Sequence, residues 1–360
     1  MANTMDETSE RIRIKDIAKM SNVSVGTVDR VLHNRGGVSK ENYERVKSIM
    51  DKLHYHPNMY ASALASNKKY LFGCLLPIHK VGEYWTAVED GIQEAIKAYS
   101  DFNISITINY YDPFKYSSFL ISGNELLAQK PDGVMLTPSD PKMTEQFTTA
   151  LRKQDIPYIF LDFNMPALNP LAFYGQNSVQ SGYLAAKFLM LMAGEQTKEV
   201  AVFRQIKDGI IGSNQQEHRE VGFRQYMKEH FSECKILSMD VHNRDFKEEH
   251  TLELFFKEHP NITNGITFNS KAYIIGEFLE KHQFTAFNLM GYDLLKRNVV
   301  CLKKGSISMI IAQKPEDQGY RGVSSLCDHL ILKKTITPIN YMPIDLLTAE
   351  NIDFYMNFPR

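Results

Sequence analysis

From Leu71 onward the chain alternates short apolar runs with longer segments of helical periodicity, and this alternation limits the fold more than any other feature. Leu71 to Leu76, Ile104 to Tyr110, Gly133 to Thr137 and Tyr158 to Asp162 read as strands. Trp85 to Tyr99, Tyr116 to Gln129 and Pro141 to Gln154 read as the helices between them. Strand, helix, strand in succession implies parallel pairing with crossover helices on the sheet faces. A second series repeats the pattern, with strands near Glu199 to Phe203, Lys235 to Met239, Gly265 to Asn269 and Asn288 to Gly291. Its helices lie near Val179 to Ala193, Gln216 to His230, Lys247 to His259 and Lys271 to His282. The expected fold class is α/β, with two doubly wound lobes preceded by a small all-α domain, and 360 residues suffice for both.

The all-α domain is read from the basic segment ahead of the first strand. Residues 11–70 hold 12 Lys and Arg against five Asp and Glu, while the whole chain has a formal net charge of -1. A basic segment before a mildly acidic body suits contact with a polyanion. Within it, Ile14, Ile17, Ala18 and Met20 take the spacing of one helix face. Ser21 and Asn22 favour a turn, and Ser24 can cap a second helix over Val25 to Leu32. Gly36 and Gly37 break the pattern, after which Ser39 can cap a longer helix with Tyr43, Val46, Met50 and Leu53 on one face. Two short helices and a tight turn form a helix-turn-helix, whose second helix fits the major groove of DNA.

The stretch IKDIAKMSNVSVGTVDRVLHNRGGVSKENYERVKSIMDKLHYHPNMYASALA resembles the N-terminal module of the lac repressor family along its whole length. The resemblance implies that Val25, Gly26 and Arg30 begin the recognition helix. Of the three, only Arg30 can make a bidentate contact to guanine. It places Ser24, Thr27 and Ser39 on phosphates and His33 and Arg35 at the DNA surface. His33 stands where the family usually has Asn, and Asp29 where it usually has Ser; a carboxylate there is repelled by phosphates unless it pairs with Arg30 or Arg35. After His56-Pro57, Asn58 to Ala65 resembles the family's hinge helix. Asn58, Ala61 and Leu64 are at matching positions, and Leu64 is the expected minor-groove wedge. Such a segment is too short to be a stable helix alone and is expected to order on DNA beside a partner hinge.

The body resembles the periplasmic-type sugar-binding fold (type I) that the same family attaches to its DNA-binding module. The matches lie at Arg219, Gly222 and Phe223, at Gly291, Tyr292 and Asp293, and along Ile311 to Gly319. The implied organisation is a helix-turn-helix domain over 11–56, a hinge over 57–69 and an effector domain over 70–348. One lobe is expected to take about 70–173 plus 295–335, the other about 174–294 plus 336–360. In that fold the chain passes between lobes three times and ligand sits in the cleft. Carried across, Arg219, Asp293 and Gln313 contact ligand hydroxyls, Tyr84 and Trp85 cover an apolar sugar face, and Gln176 and Asn269 sit at further cleft positions. Plainer roles are also open: Trp85 as core, and Arg219 with Asp293 as an ion pair bridging the lobes.

An enzyme is not expected. No GxxxxGK[ST], HExxH, GxSxG or GxGxxG is present, and no histidine–cysteine cluster has metal-ligand spacing, so catalytic residues, metal and cofactor are all expected to be absent. Cys74, Cys234, Cys301 and Cys327 are scattered and read as reduced thiols. The longest apolar stretch, Tyr70 to Ile78, is far short of the roughly 20 residues that cross a bilayer, and Met1 to Glu10 lacks a signal-peptide core, so the chain is expected in the cytoplasm. The expected function is a ligand-responsive transcriptional regulator, a repressor of carbohydrate-metabolism genes. It would bind a near-palindromic operator as a homodimer or higher oligomer, with a sugar-like effector in the cleft. Two alternatives stay open: a small-molecule-binding protein whose DNA binding is weak or lost, and a regulator responding to a nucleobase.

Overall fold

The computed structural model describes residues 13–32, 35–53, 68–206, 211, 213–241 and 247–357. The chain divides into two compact units, Met1–Asn67 and Lys68–Arg360.

The first unit holds α1 (Ile14–Met20), α2 (Val25–Leu32) and α3 (Lys40–Lys52). All three follow from local signals. Ser24 Oγ accepts from the Thr27 amide at 3.1 Å and Ser39 Oγ from the Asn42 amide at 3.4 Å, so each serine supplies an acceptor to an otherwise unpaired helix-start donor. Asn22, with φ of 51°, makes the left-handed turn between α1 and α2. Ile17, Ala18, Val28, Val31 and Val46 are buried together as a small core. Met20 departs from the expected pattern: it is exposed, one residue before the turn takes the chain off the helix.

The second unit is two lobes, each built on a six-stranded sheet. The strands are β1 (Tyr70–Pro77), β2 (Ile104–Tyr111), β3 (Gly133–Leu136), β4 (Tyr158–Leu161), β5 (Ala172–Gly175), β6 (Glu199–Gln205), β7 (Lys235–Val241), β8 (Asn264–Thr267), β9 (Asn288–Tyr292), β10 (Met309–Ala312), β11 (Ile339–Tyr341) and β12 (Asp345–Leu347). The sheet orders are β11-β5-β4-β3-β1-β2 and β12-β10-β9-β8-β6-β7. Every pairing is parallel except that of β12 with β10. The helices are α4 (Tyr84–Ala98), α5 (Ser118–Ala128), α6 (Pro141–Arg152), α7 (Ser178–Ala193), α8 (Asn214–His230), α9 (Lys247–Glu258), α10 (Tyr273–Lys281), α11 (Lys296–Lys304), α12 (Pro315–Leu330) and α13 (Ile352–Asn357). Among the described residues no helix is long and apolar enough to cross a membrane.

The chain crosses between lobes at Gln176, at Gln313 and at residues 342–344. This corrects the expected partition. Residues 295–312 belong with the second lobe, because β10 pairs with β9 and α11 buries Val299, Cys301 and Leu302 in the second-lobe core. Conversely β11, expected in the second lobe, pairs with β5 of the first.

Two helix pairs carry the cleft residues, α4 on α12 and α7 on α8, and both pairs cross at glycines. A Cβ on Gly91 of α4 would lie 1.9 Å from the Glu316 carbonyl oxygen, and one on Gly222 of α8 would lie 1.8 Å from that of Val179. Only a residue without a Cβ permits such approach, and it brings Gln318 of α12 to Tyr84 of α4.

Candidate functional site

In the first unit, Ser24, Gly26, Arg30, Arg35 and Ser39 are exposed, Thr27 is half-buried, and Val25 is 40% exposed on the first turn of α2. Ser24 Oγ also lies 3.0 Å from Thr27 Oγ1. Asp29 meets the condition set for a carboxylate on this face: Arg35 Nη1 donates to its Oδ2 at 3.3 Å. His33, Asn58, Ala61 and Leu64 lie outside the described residues.

In the second unit the cleft is built on a repeated geometry. Strands β4 and β9 occupy the same place in their sheets, third from the β11 or β12 edge. Each is followed by an aspartate in the left-handed region, Asp162 with φ of 70° and Asp293 with φ of 69°. Each aspartate's amide donates to the neighbouring strand, to Tyr174 O at 2.8 Å and Ile311 O at 2.9 Å. The strand ends thus deliver two carboxyl groups to the space between lobes, where sheets of this kind bind ligands.

A continuous network joins them. Tyr84 OH donates to Asp162 Oδ1 at 3.0 Å and accepts from Gln318 Nε2 at 3.0 Å. Gln215 Nε2 reaches across to Asp162 Oδ1 at 2.5 Å and to its backbone oxygen at 2.6 Å. Arg219 donates through Nη1 to Phe268 O at 2.9 Å and through Nη2 to Gln313 Oε1 at 3.0 Å, and Gln313 Nε2 donates to Asp293 Oδ1 at 2.6 Å. The guanidinium also lies over the Tyr292 ring at 3.9 Å. Asp162, Asp293 and Arg219 are only 7%, 6% and 2% exposed, so three ionisable groups share a space nearly free of water contact. Burial pushes the Asp293 carboxyl up to about 6, against the pull of Arg219 and of the Gln313 hydrogen bond. It raises Asp162 as well, again opposed by Arg219. Arg219 Nε, Gln318 Oε1 and Thr137 Oγ1 are buried polar atoms with no hydrogen-bond partner among the described residues.

Further contacts hold the lobes together at the cleft's margin. Asn214 Nδ2 donates to Pro138 O at 3.1 Å and Ser139 O at 3.0 Å, and Lys271 Nζ lies 3.2 Å from Glu83 Oε1. The Phe163 and His218 rings are 4.7 Å apart between centroids.

Four of the seven expected effector residues, Tyr84, Arg219, Asp293 and Gln313, meet in this network. Gln176 takes a different position. Its Nε2 donates to Ala312 O at 2.8 Å and Pro343 O at 2.7 Å, so one buried amide ties the first crossing segment to the other two. Trp85 is half-buried against the first-lobe core and meets Tyr84 edge-on, with ring centroids 5.0 Å apart. Asn269 bonds inside its own lobe, to Gln216 Oε1 at 3.0 Å and Thr267 Oγ1 at 2.9 Å. Sequence reading missed Asp162, Gln215 and Gln318. Asp162 had a legible signal, since it ends a strand as Asp293 does. The two glutamines had none. Elsewhere, Glu249, Glu253 and His282 bring metal-ligand atoms within 4.8 Å of one another, but Lys281 Nζ already bonds Glu249, so an ammonium occupies that charge.

Two family descriptions match the chain: "Bacterial regulatory proteins, lacI family" over residues 13–58 and "Periplasmic binding protein domain" over residues 72–334. A solved structure assigned to the LacI transcriptional regulators of Bacteroides fragilis is 55% identical, covers 80% of this chain and 100% of its own, and superimposes with a TM-score of 0.78. The HTH-type transcriptional regulator DegA of Bacillus subtilis is 27% identical over 60% of this chain. The Sucrose operon repressor of Staphylococcus xylosus is 26% identical over 55% of it. The matches span 60% of DegA and 61% of the sucrose repressor.

Proposed function

This chain belongs to the lacI family of bacterial regulatory proteins, and we propose from that premise that it is a transcriptional repressor whose operator affinity is set by a sugar-like effector in the inter-lobe cleft. The observation that carries this reading is the cleft network, in which Tyr84, Asp162, Gln215, Arg219, Asp293 and Gln313 draw donors and acceptors from both lobes into one buried space. A polyhydroxylated ligand can exchange its hydroxyls for these contacts, and it can do so only by engaging both lobes. Such a ligand binds open and closed forms differently, the one condition under which it can shift an equilibrium.

The DNA-binding half of the proposal rests on the exposed start of α2, where Val25, Gly26 and Arg30 stand clear of the small core. The chain acts as a homodimer, so two such helices read a near-palindromic site. The sucrose repressor's name supports a carbohydrate effector.

The test is selection of bound sequences from random duplex DNA by the full-length chain, followed by binding measurements with and without a panel of sugars. The expected result is a two-fold symmetric site whose affinity changes with one sugar, and loss of that response, with DNA binding kept, in Arg219→Ala. Failure to enrich a symmetric site while a sugar still binds would support the alternative of a small-molecule-binding protein that has lost its DNA function.

A further inference from the structure

We infer that the cleft selects an uncharged or amine-bearing sugar and rejects sugar phosphates and sugar acids, because its buried carboxylates outnumber its buried cations. This rests on the reading of the cleft as the effector site.

The charge count comes from groups that are each more than nine-tenths buried. Asp162 and Asp293 bring two carboxyl groups and Arg219 brings one guanidinium. The two guanidinium contacts given above go to the Phe268 carbonyl and to Gln313, so the one cation is hydrogen-bonded to Asp293 through the glutamine amide and attracts both carboxyls through space, one positive group against two negative. Asp162 is held by neutral donors, the Tyr84 hydroxyl and the Gln215 amide. Other cations at the margin are engaged elsewhere: Lys271 pairs with Glu83 of the opposite lobe. A phosphate or carboxylate entering this space would be a third negative group with no cation of its own, and buried charge is tolerated only when paired.

The orphaned atoms point the same way. Gln318 Oε1 can only accept a hydrogen bond and its Nε2 already bonds Tyr84, so it calls for a ligand that donates, whereas the Thr137 hydroxyl can serve either way. Hydroxyl and ammonium groups donate. Phosphate oxygens and carboxylates accept, so they could serve the orphaned donor Arg219 Nε but not Gln318 Oε1.

The experiment uses the full-length chain at pH 7.5 and matched probes: glucose, galactose and mannose, each with its 2-amino, 6-phosphate and uronic acid derivative. Binding is read by thermal shift and then by calorimetric titration. In whichever series binds, the free sugar or amino sugar is expected to bind at least about tenfold tighter than both anionic members. An anionic member that binds as tightly as its parent overturns the inference and leaves the effector cleft standing. Binding undiminished in Arg219→Ala overturns the cleft reading instead. If every probe is silent, the sugar reading falls and the selection falls with it; the charge excess on which it was argued is tested separately on the ligand-free chain. There Asp162→Asn, which removes one negative charge and keeps an acceptor for Tyr84 and Gln215, must raise the melting temperature at pH 7.5; a lowered one overturns the inference.

Discussion

Replacing Gln176 with methionine separates two roles for one residue, a contact to effector and a staple between crossing segments. Methionine keeps the length and volume of the side chain and removes both of its hydrogen-bonding groups. The Ala312 and Pro343 carbonyls, at 2.8 Å and 2.7 Å from Nε2, then lose the donor they share. A buried polar group left without its partner costs about 1–3 kcal/mol, so two such groups predict a loss of about 2–6 kcal/mol of folding stability. The effect concentrates where the three crossings meet, so it destabilises the two-lobed unit and leaves the helix-turn-helix unit alone. Trp85 is the only tryptophan of the chain and lies on α4, so its emission reports that unit by itself. Urea titration followed at Trp85 should give a lower midpoint with an unchanged slope, and effector affinity should change little. A midpoint shift worth less than about 0.5 kcal/mol, or a fall in effector affinity with stability intact, refutes the staple and returns Gln176 to the ligand.

The remaining predictions concern charge and packing. Asp293, pushed up to about 6 from an ordinary value of 3.8, binds its proton more tightly folded than unfolded. The ligand-free two-lobed unit therefore gains stability as pH falls through about 6 toward 4 and lacks that gain above 6, a difference of about 3 kcal/mol. Asp293→Asn should flatten that part of the pH profile, and an unchanged profile would remove Asp293 as its source. Gly222→Ala places a methyl 1.8 Å from the Val179 carbonyl, so α7 and α8 must separate. The cost of about 1–3 kcal/mol exceeds the helix-propensity gain of at most about 1 kcal/mol, and a melting temperature at or above that of the parent would contradict it. Asp29→Ala removes an acidic group from the face of α2 and should tighten operator binding with a steeper salt dependence. Weaker binding would show instead that the Asp29–Arg35 pair positions the arginine for DNA.

The helix-turn-helix was legible because its signals are local. Ser24 and Ser39 sit three residues from the amides they cap, and the buried faces of α1 and α2 recur at helical spacing, so neighbours in sequence decide the outcome. The strand and helix alternation was legible for the same reason, as period and length survive without knowing what packs on what. The three-residue strands β11 and β12 are too short to show a period, and only their pairing with β5 and β10 makes them strands. Of the candidate cleft, Arg219, Tyr84, Asp293 and Gln313 were legible through resemblance to a family. That Asp162 faces the same space as Asp293 was decided by two sheets placing equivalent strand ends opposite each other. Whether Gln176 meets a ligand or a backbone was likewise a tertiary matter. A glutamine carries the same donors and acceptors in any sequence, and only the approach of the three crossing segments determined which carbonyls would take them.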